Sequence, residues 1–425
     1  MSERKTKKLE DIVTQFIDYR GKTPTKTETG VPLITAKIVK DGRLLPYTEY
    51  IAHGSYHVWM TRGIPAKNDV IITTEAPLGE VALMPDGEVA LAQRIIVMHT
   101  NPDECDSIYL KYFLQWDVGK QCVLNKQSGS TVFGIRAAEL KKAQVTIHDS
   151  IEEQKNIAQV LSTIDQKIEL NRRLNDNLEA MAQALYDYWF VQFDFPDENG
   201  KPYKSSGGKM VWNEQLKREI PEGWEVKQIR EVADTCLGGT PVTNIREYWD
   251  GGNIPWISSG DLTSNPLLQV SDYITQKGLN NSAAKLMPKG TVVVSLVRYI
   301  RPSILGIDAA GNQSVVGIFA NKILPTCFLY PYVKSEVPRL MGLRTGAQQP
   351  HINKEVIDSS FIVLPDNVSI MGQYQNKALG IYEKLLCVAK ERESLTKQRD
   401  FLLPLLMNGQ VQIKPQGVNY RLADD

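Results

Sequence analysis

Cysteines and long apolar runs are both scarce in this chain. It has 425 residues and five cysteines, none of them in a C-x-x-C pair, so we expect reduced thiols in the cytoplasm and neither a zinc site nor a redox couple. The longest apolar stretch, residues 292–297, has only the length of a strand, and we therefore expect no membrane span. The charged first residues lead into no apolar segment, so we also expect no signal peptide.

An excess of either charge is absent as well. The 49 lysines and arginines balance the 49 aspartates and glutamates, so the composition gives no electrostatic indication of nucleic-acid binding. A DNA-binding protein of this composition has to gather its cations on one face. With 42% hydrophobic and 23% charged residues, the chain has the balance of a globular protein, and its length predicts at least two hydrophobic cores.

Motifs for intrinsic catalysis are missing. The sequence contains no G-x-x-x-x-G-K-[ST] phosphate loop and neither the Gly-rich turn nor the Asn/Asp-Pro-Pro-aromatic string of an adenine methyltransferase. His53 and His57 lack the glutamate of an H-E-x-x-H zinc site, which favours ordinary loop histidines. The stretch from Asp197 to Lys227 imitates a nuclease P-D…E-x-K arrangement, but Lys227 falls where Lys7 lies in an internal repeat, which favours a strand. We expect no catalytic and no metal-binding residue.

One ordered set of landmarks occurs twice along the chain. G-K-T-P at Gly21 returns as G-G-T-P at Gly238, V-P-L-I at Val31 returns as I-P-W-I at Ile254, and the segment beginning at Gly129 returns at Gly346. The first and third landmarks are both displaced by 217 positions (238 − 21 and 346 − 129). After the third landmark, Ile135, Leu140, Val145 and Ile147 match Ile352, Ile357, Ile362 and Leu364. This spacing predicts a short amphipathic turn followed by a strand in each copy.

Each copy then ends in a pattern typical of a long helix. Residues 150–190 contain neither glycine nor proline. Apolar side chains recur at helical steps at Leu161, Ile164, Ile168, Leu178 and Leu185 in the first copy, and at Ile381, Leu385, Val388, Leu395 and Leu402 in the second. Such stripes need a partner helix, and the polar residues Asn171, Asn175, Arg392 and Arg399 would set the register of the pair. We expect Pro404 and then Gly409 to end the second helix.

The rest of each copy is predicted to be a mixed α+β domain, because short β-branched runs such as residues 70–73, 81–84, 95–99, 292–296 and 361–364 are bounded by Gly, Pro and Asp. The domains predicted are a first globular domain at residues 1–149, a long helix at 150–193, a surface connection at 194–223, a second globular domain at 224–366, and a second long helix with a tail at 367–425.

This organisation resembles the specificity subunits of Type I restriction-modification systems over nearly the whole chain. The marks are the G-x-T-P turns at Gly21 and Gly238, I-P-W-I at Ile254, the G-x-x-x-x-x-I segments at Gly129 and Gly346, and the closing L-L-P-L-L-M-N-G at Leu402. The resemblance implies two target-recognition domains separated by two long helices in an antiparallel coiled coil, with an internal pseudo-twofold repeat.

The same resemblance implies the partners. Such a subunit binds double-stranded DNA at a bipartite, asymmetric target, together with two methyltransferase subunits and two motor-nuclease (restriction) subunits. It is not itself catalytic. S-adenosylmethionine, ATP and Mg²⁺ would belong to the partner subunits, and no cofactor is expected in this chain.

Base reading needs side chains with paired donors or acceptors, and arginine suits guanine while glutamine suits adenine. The candidates are Arg20, Lys22, Thr23, Arg94, Ser130 and Thr131 in the first half, and Thr240, Arg298, Tyr299, Arg301, Arg344, Gln348 and Gln349 in the second. The Gly-Thr-Pro turns have a simpler explanation as loop geometry, with glycine at positive φ and proline fixing the next step.

A second hypothesis is a two-domain protein-interaction scaffold whose globular halves bind something other than DNA. The neutral charge favours the scaffold slightly, whereas the duplicated order of globular domain and helix favours the DNA-specificity subunit.

Overall fold

Short β-branched runs bounded by turn residues form the strands of this protein. A computed structural model describes residues 3–127, 134–346 and 348–413. Strands form at Val70–Thr73, Val81–Leu83, Ile95–Thr100, Val292–Ser295 and Phe361–Leu364, where the sequence predicts them. The chain divides into unit 1, which combines Met1–Ile168 with Leu395–Asp425, and unit 2, which is Glu169–Ser394.

Unit 1 contains two main sheets. The four-stranded sheet is antiparallel, in the order Val13–Asp18, Ile95–Thr100, Val70–Thr73, Val81–Leu83. In the three-stranded sheet, Val31–Ile34 pairs antiparallel with Tyr50–Ile51 and parallel with Ala90–Leu91. The strands Val39–Lys40 and Arg43–Leu44 form a short hairpin, and the short helices are Tyr56–Trp59, Ser107–Gln115, Asp117–Leu124 and Ala137–Lys141, with 3-10 turns at Ala36–Ile38 and His53–Ser55.

Unit 2 repeats this topology. Its four-stranded antiparallel sheet has the order Thr235–Leu237, Val315–Ile318, Val292–Ser295, Pro302–Ile304. In its second sheet, Ile254–Ile257 pairs antiparallel with Asp272–Ile274 and parallel with Ala309–Gly311, and Leu286–Met287 is an added edge strand. The helices are Gln276–Asn280, Thr326–Gly342 and Lys354–Asp358, with a 3-10 turn at Arg246–Tyr248. The shared strand order confirms the doubling that the landmarks predict.

A two-stranded ladder joins the beginning and end of each globular part. Arg4–Lys8 pairs with Gln144–His148, and Glu225–Gln228 pairs with Phe361–Leu364. A one-turn helix follows the first strand in each case, at Leu9–Ile12 and Ile229–Val232. Both helices begin with a backbone N–H, of Lys8 or Gln228, donating to the acidic side chain three residues later. Lys227 therefore lies in the strand that corresponds to the one containing Lys7, as the repeat predicts.

Residues 194–223 are more than the surface connection that the sequence predicts. The strands Met210–Asn213 and Arg218–Pro221 form a hairpin. Phe195 and Ile220 are only 3% and 2% exposed and belong to the core of unit 2. The Phe195 ring also stacks on Trp224, with 5.0 Å between ring centroids. Hydrophobic burial thus makes this segment an integral part of unit 2.

Two long helices follow the two ladders. The first long helix, Ile151–Tyr186, has 36 residues and continues as a π-helical turn at Asp187–Val191. The second long helix, Val368–Met407, has 40 residues. At 1.5 Å per residue their lengths are about 54 and 60 Å. Within the described ranges, no helix combines the length and the apolar content needed to cross a membrane.

The prediction that Pro404 ends the second long helix is wrong. The helix runs through Pro404 to Met407 and is followed by Gly409 at a φ of 74°. A proline inside a helix costs about 3 kcal/mol. Leu403, Leu406 and Met407 are buried in the core of unit 1, and burying such a side chain contributes about 1.5–3 kcal/mol. The packing of three side chains outweighs the loss of one backbone hydrogen bond.

Within unit 2 the two long helices pack antiparallel. Leu178 forms an apolar cluster with Leu385 and Val388, and eleven residues later Trp189 lies beside Tyr374, with 5.6 Å between ring centroids. Along the contact, residue numbers increase in the first helix and decrease in the second, so the two helices run antiparallel. The polar residues Asn171 and Asn175, predicted in this stripe, are buried as well.

Within unit 1 the same helices meet in a polar network around Asp165. Its carboxylate accepts hydrogen bonds from Lys111 Nζ at 3.1 Å, Tyr112 Oη at 2.6 Å and Arg399 Nη1 at 3.0 Å. Lys111 lies on the helix Ser107–Gln115, so one carboxylate connects the globular part of unit 1 to both long helices. Burial is the largest influence on the pKa of Asp165 and acts to raise it, but Lys111, Tyr112 and Arg399 together hold this pKa below its usual value.

Candidate nucleic-acid interface

In both units, three turns meet at one end of the four-stranded sheet. Because neighbouring strands are antiparallel, the carboxyl ends of Val13–Asp18 and Val70–Thr73 lie beside the amino end of Ile95–Thr100. The segment that follows the third landmark docks there as well: Ile135 N donates to Thr74 O at 3.1 Å in unit 1, and Ile352 N donates to Leu296 O at 3.0 Å in unit 2. We call this end of the sheet the turn face of each unit.

These hydrogen bonds define which positions correspond between the two units. Since Thr74 corresponds to Leu296, Glu75 corresponds to Val297. A second pair of hydrogen bonds supports the same correspondence: Thr74 N donates to Arg94 O at 2.9 Å, and Leu296 N donates to Ser314 O at 2.9 Å. Arg94 therefore corresponds to Ser314, and the turn faces share one backbone frame with different side chains.

The turn face of unit 1 carries an ion-paired cluster of Arg20, Glu75 and Arg94. Arg20 Nη2 donates to Glu75 Oε1 at 3.1 Å and to Ile135 O at 3.1 Å. Arg94 Nε lies 3.5 Å from the other oxygen, Glu75 Oε2. Two guanidinium groups thus share one carboxylate, which leaves one net positive charge. Lys22 is exposed on the same turn as Arg20.

Tyr19 and Arg62 brace the turn that follows Arg20. Arg62 Nη1 donates to the carbonyl oxygens of Asp18 and Arg20, at 3.0 and 2.8 Å. The buried Tyr19 hydroxyl donates to Gly63 O at 2.9 Å and accepts from Arg62 N at 2.9 Å. Burial raises the pKa of Tyr19 above its ordinary value, so the hydroxyl keeps its proton at neutral pH.

The threonine of each G-x-T-P turn forms a hydrogen bond with the corresponding glutamine in both units, but the donor differs. Gln93 Nε2 donates to Thr23 Oγ1 at 3.2 Å, and the hydroxyl of Thr240 donates to Gln313 Oε1. Gln93 and Gln313 precede the corresponding residues Arg94 and Ser314. This threonine–glutamine pair is a shared feature of two turn faces that otherwise differ.

The two turns need glycine for different reasons. Gly21 has a φ of 85° with nothing near its missing Cβ, so its requirement is conformational, as the sequence predicts. A Cβ on Gly238 would lie 2.2 Å from the carbonyl oxygens of Gly311 and Asn312. Close backbone approach, and not positive φ, therefore requires glycine in the second turn.

The turn face of unit 2 opens into a cavity lined by Arg298, Tyr299, Arg301 and Gln349, together with Ser259, Gly260, Ser295, Val297 and Ser314. The Arg301 guanidinium lies 5.2 Å from the centroid of the Tyr299 ring, which is 61% exposed. The described residues that line this cavity include no carboxylate. The cavity is therefore cationic, with an exposed aromatic ring at its edge.

Arg344 stabilises the backbone of Arg298, one of the residues that line this cavity. Its Nε donates to Met341 O at 2.9 Å, and its Nη1 donates to the carbonyl oxygen of Arg298. Arg298 N in turn donates to Pro350 O at 2.8 Å. The guanidinium of Arg344 thus fixes the loop that carries Arg298.

Two of the arginines adopt a backbone conformation that costs free energy. Arg94 has a φ of 74° and Arg298 a φ of 57°. Non-glycine residues in this region cost about 1–3 kcal/mol each, and such residues cluster at functional sites. A glycine would relieve the cost at both positions, so the presence of arginine indicates a role for its side chain.

The structure thus brings together Arg20, Thr23 and Arg94 in unit 1, and Arg298, Tyr299, Arg301 and Gln349 in unit 2. Thr240 lies in the equivalent of the Thr23 turn, Gln348 is exposed beside Gln349, and Ser130 and Thr131 lie outside the described residues. Sequence reasoning missed Glu75, Gln93 and Gln313. The last two were detectable as the glutamine that precedes a strand in both copies.

Comparison with known proteins agrees with this duplicated architecture. The family model of the Type I restriction modification DNA specificity domain matches residues 1–180 and 221–384. The Type I restriction enzyme MjaIX specificity subunit of Methanocaldococcus jannaschii is 25% identical over 355 residues, covering 82% of this chain and 78% of that protein. The HindI specificity subunit of Haemophilus influenzae is 26% identical over 311 residues, covering 61% and 67%.

A solved structure has the same fold. The Type I restriction-modification S subunit from M. genitalium superposes with a TM-score of 0.57 at 16% identity, covering 96% of each chain. With a family model matching both halves, the chain belongs to the Type I restriction-modification DNA specificity family. It is a specificity subunit, the component of such a system that recognises the DNA sequence.

Proposed function

We propose that the two turn faces read the two halves of a bipartite DNA target. The observation that carries this proposal is the presence of cationic side chains on strained backbone at the same end of both four-stranded sheets, with Arg94 in unit 1 and Arg298 in unit 2. Arginine can form two parallel hydrogen bonds to guanine in the major groove, and each such pair discriminates by about 1–3 kcal/mol. Tyr299 and Gln349 add apolar and amide contacts in unit 2.

The two half-sites differ in this proposal because the two faces differ. Unit 1 presents two arginines around a carboxylate, whereas unit 2 presents a cavity lined by two arginines, a tyrosine and a glutamine. Unlike readers on a common backbone frame select unlike sequences. The target is therefore asymmetric. The paired long helices act as the spacer that sets the unread gap.

The chemistry belongs to partner subunits in this proposal. Two methyltransferase subunits, using S-adenosylmethionine, and two motor-nuclease subunits, using ATP and Mg²⁺, assemble on this chain in the cytoplasm. The chain itself contributes no catalytic residue. Its repeated topology supports two equivalent partners, since the same arrangement of strands occurs once in each half.

Salt titration of DNA binding by the chain with its methyltransferase partner tests the proposal. Each phosphate contact lowers the slope of log K against log[salt] by about 0.9, so the arginine-rich faces predict a steep loss of affinity with salt. Mapping of methylated adenines in a genome that carries the system should show one bipartite, asymmetric motif. A flat salt response with no defined motif would favour the protein-interaction scaffold and refute the proposal.

A further inference from the structure

Among the described residues of the turn face of unit 1, Glu75 is the one acidic side chain that contacts both Arg20 and Arg94. Its two oxygens engage different partners, Arg20 at 3.1 Å and Arg94 at 3.5 Å. The side chains of Arg20, Glu75 and Arg94 are 35%, 28% and 55% exposed. Ion pairs this exposed contribute at most about 1 kcal/mol to stability. Stabilisation of the fold is thus a weak reason for placing a carboxylate between two cations.

The geometry of the two contacts gives the two arginines different roles. Arg20 meets Glu75 through its terminal Nη2, which also donates to Ile135 O, so Arg20 anchors the carboxylate. Arg94 meets Glu75 through Nε, on the side of the guanidinium, and this contact does not use the terminal Nη1 and Nη2 atoms. Those terminal atoms form the fork that reads guanine O6 and N7. A carboxylate at Nε restricts the rotation of the guanidinium, so it lowers the entropy that the side chain loses on binding a base.

The surrounding backbone is shaped to admit this carboxylate. A Cβ on Gly134 would lie 2.9 Å from Glu75 Cγ, so the glycine leaves room for the acidic side chain. Ile135 O accepts from the same Arg20 Nη2 that contacts Glu75. The corresponding position in unit 2 is Val297, which has no charge, and the cation there is Arg298.

We propose that Glu75, anchored by Arg20, is a positioning residue that aligns Arg94 for reading guanine in the first half-site only. The proposal rests on the proposed DNA-reading function and adds to it the base class and the residue that sets the geometry. Val297 at the equivalent position predicts that the second half-site is read without such a carboxylate.

The test uses the complex of the full chain with its methyltransferase subunits and the target found by methylation mapping. Glu75→Gln keeps the size of the side chain and removes its charge. Binding is measured to duplexes that carry a base change in the first or in the second half-site. We expect Glu75→Gln to lower the preference for guanine in the first half-site by roughly tenfold and to leave preference in the second half-site and the thermal unfolding midpoint unchanged.

The chain offers a matched control in the same unit. Glu49 also lies between two cations, with Lys26 Nζ at 2.7 Å and Lys37 Nζ at 3.8 Å, and it belongs to neither turn face. Glu49→Gln should leave both half-site preferences unchanged. An equal effect of the two variants would mean that lost charge, and not alignment, is responsible, and would overturn the proposal.

A second variant keeps the test decisive if Glu75→Gln does not assemble. Arg94→Ala removes an exposed side chain, leaves Glu75 in place and should cause the same loss at the first half-site. Where Glu75→Gln does assemble, the double variant should lose no more than either single variant. If these variants keep specific binding and an unchanged preference in the first half-site, the role of Glu75 is overturned and the proposed function still stands. A wild-type complex without any half-site preference would instead refute the proposed function.

Discussion

The Asp165 network of unit 1 supports a prediction in which two neighbouring substitutions act in opposite directions. Lys111 is nearly fully buried, with its side chain 4% exposed. Burial lowers the pKa of Lys111 from 10.5 to about 8, despite the nearby carboxylate of Asp165. At 1.36 kcal/mol for each pH unit, this difference corresponds to about 3 kcal/mol of unfavourable free energy for keeping the folded-state lysine charged at neutral pH.

Removing the lysine should therefore be tolerated, and removing the carboxylate should not. In Lys111→Met, Asp165 keeps its hydrogen bonds from Tyr112 and Arg399, so we expect a change between neutral and about 3 kcal/mol stabilising. In Asp165→Asn, the buried Lys111 loses its counter-charge, while Arg399 keeps its ion pair with Asp400. We expect unit 1 to be destabilised by about 3–5 kcal/mol because Lys111 is left buried without a compensating charge.

The pH dependence follows from the same pKa. The folded pKa of Lys111, about 8, lies below the unfolded value of 10.5, so between these values the unfolded state binds more protons. Wild-type stability should then rise with pH across this window through Lys111. The stability advantage of Lys111→Met is expected to be largest below pH 8 and to shrink towards pH 10.

Hydrogen exchange of a peptide covering Ser107–Gln115 is a suitable measurement, because a chain with two units need not unfold in one step. The opening free energy of this helix should rise or stay constant in Lys111→Met and fall in Asp165→Asn. If Lys111→Met destabilised the helix as strongly as Asp165→Asn, the charged lysine would be net favourable and the reasoning would be wrong.

Two further predictions concern the interface and the spacer. Arg298→Gly should relieve the cost of a φ of 57° and raise the unfolding free energy of unit 2 by about 1 kcal/mol. Methylation mapping should show a relaxed base preference in the second half-site only. A stable variant with unchanged preference would contradict a reading role for Arg298. Removing seven residues from each long helix, within residues 161–185 and 385–402, shortens each by about 10 Å, which is roughly three base pairs. The mapped motif should then keep its half-sites and lose about that many positions from its gap, and altered half-sites with an unchanged gap would contradict the spacer.

The threonine–glutamine pair separates what the two recognition faces share from what distinguishes them. The pair occurs in both units although each half is free to select its own sequence. A shared polar contact suits a common task, such as bracing the turn, while the unlike residues Glu75 and Val297, or Arg94 and Ser314, occupy positions suited to reading different bases. Residues that are the same in both halves therefore belong to the shared backbone framework, and residues that differ are the candidates for base recognition.

Local patterns in the sequence were sufficient to predict much of the architecture. A duplicated set of landmarks predicts two copies of one topology because each landmark marks the same turn or strand in both copies. The helical stripes predict a pair of long helices, since an apolar stripe of that length is stable only against a partner. The strand at Lys227 was also predictable, because the repeat aligns it with Lys7.

Contacts between residues distant in sequence were decided by the tertiary structure alone. Gln93 is 70 residues from Thr23, and Glu75 is 55 residues from Arg20, so no local period relates them. The helix continues past Pro404 because burial in the core of unit 1 exceeds the local cost of proline. Local periodicity determines which segments are helices and strands, whereas the choice of which charges and amides meet depends on how the sheet brings the ends of its strands together.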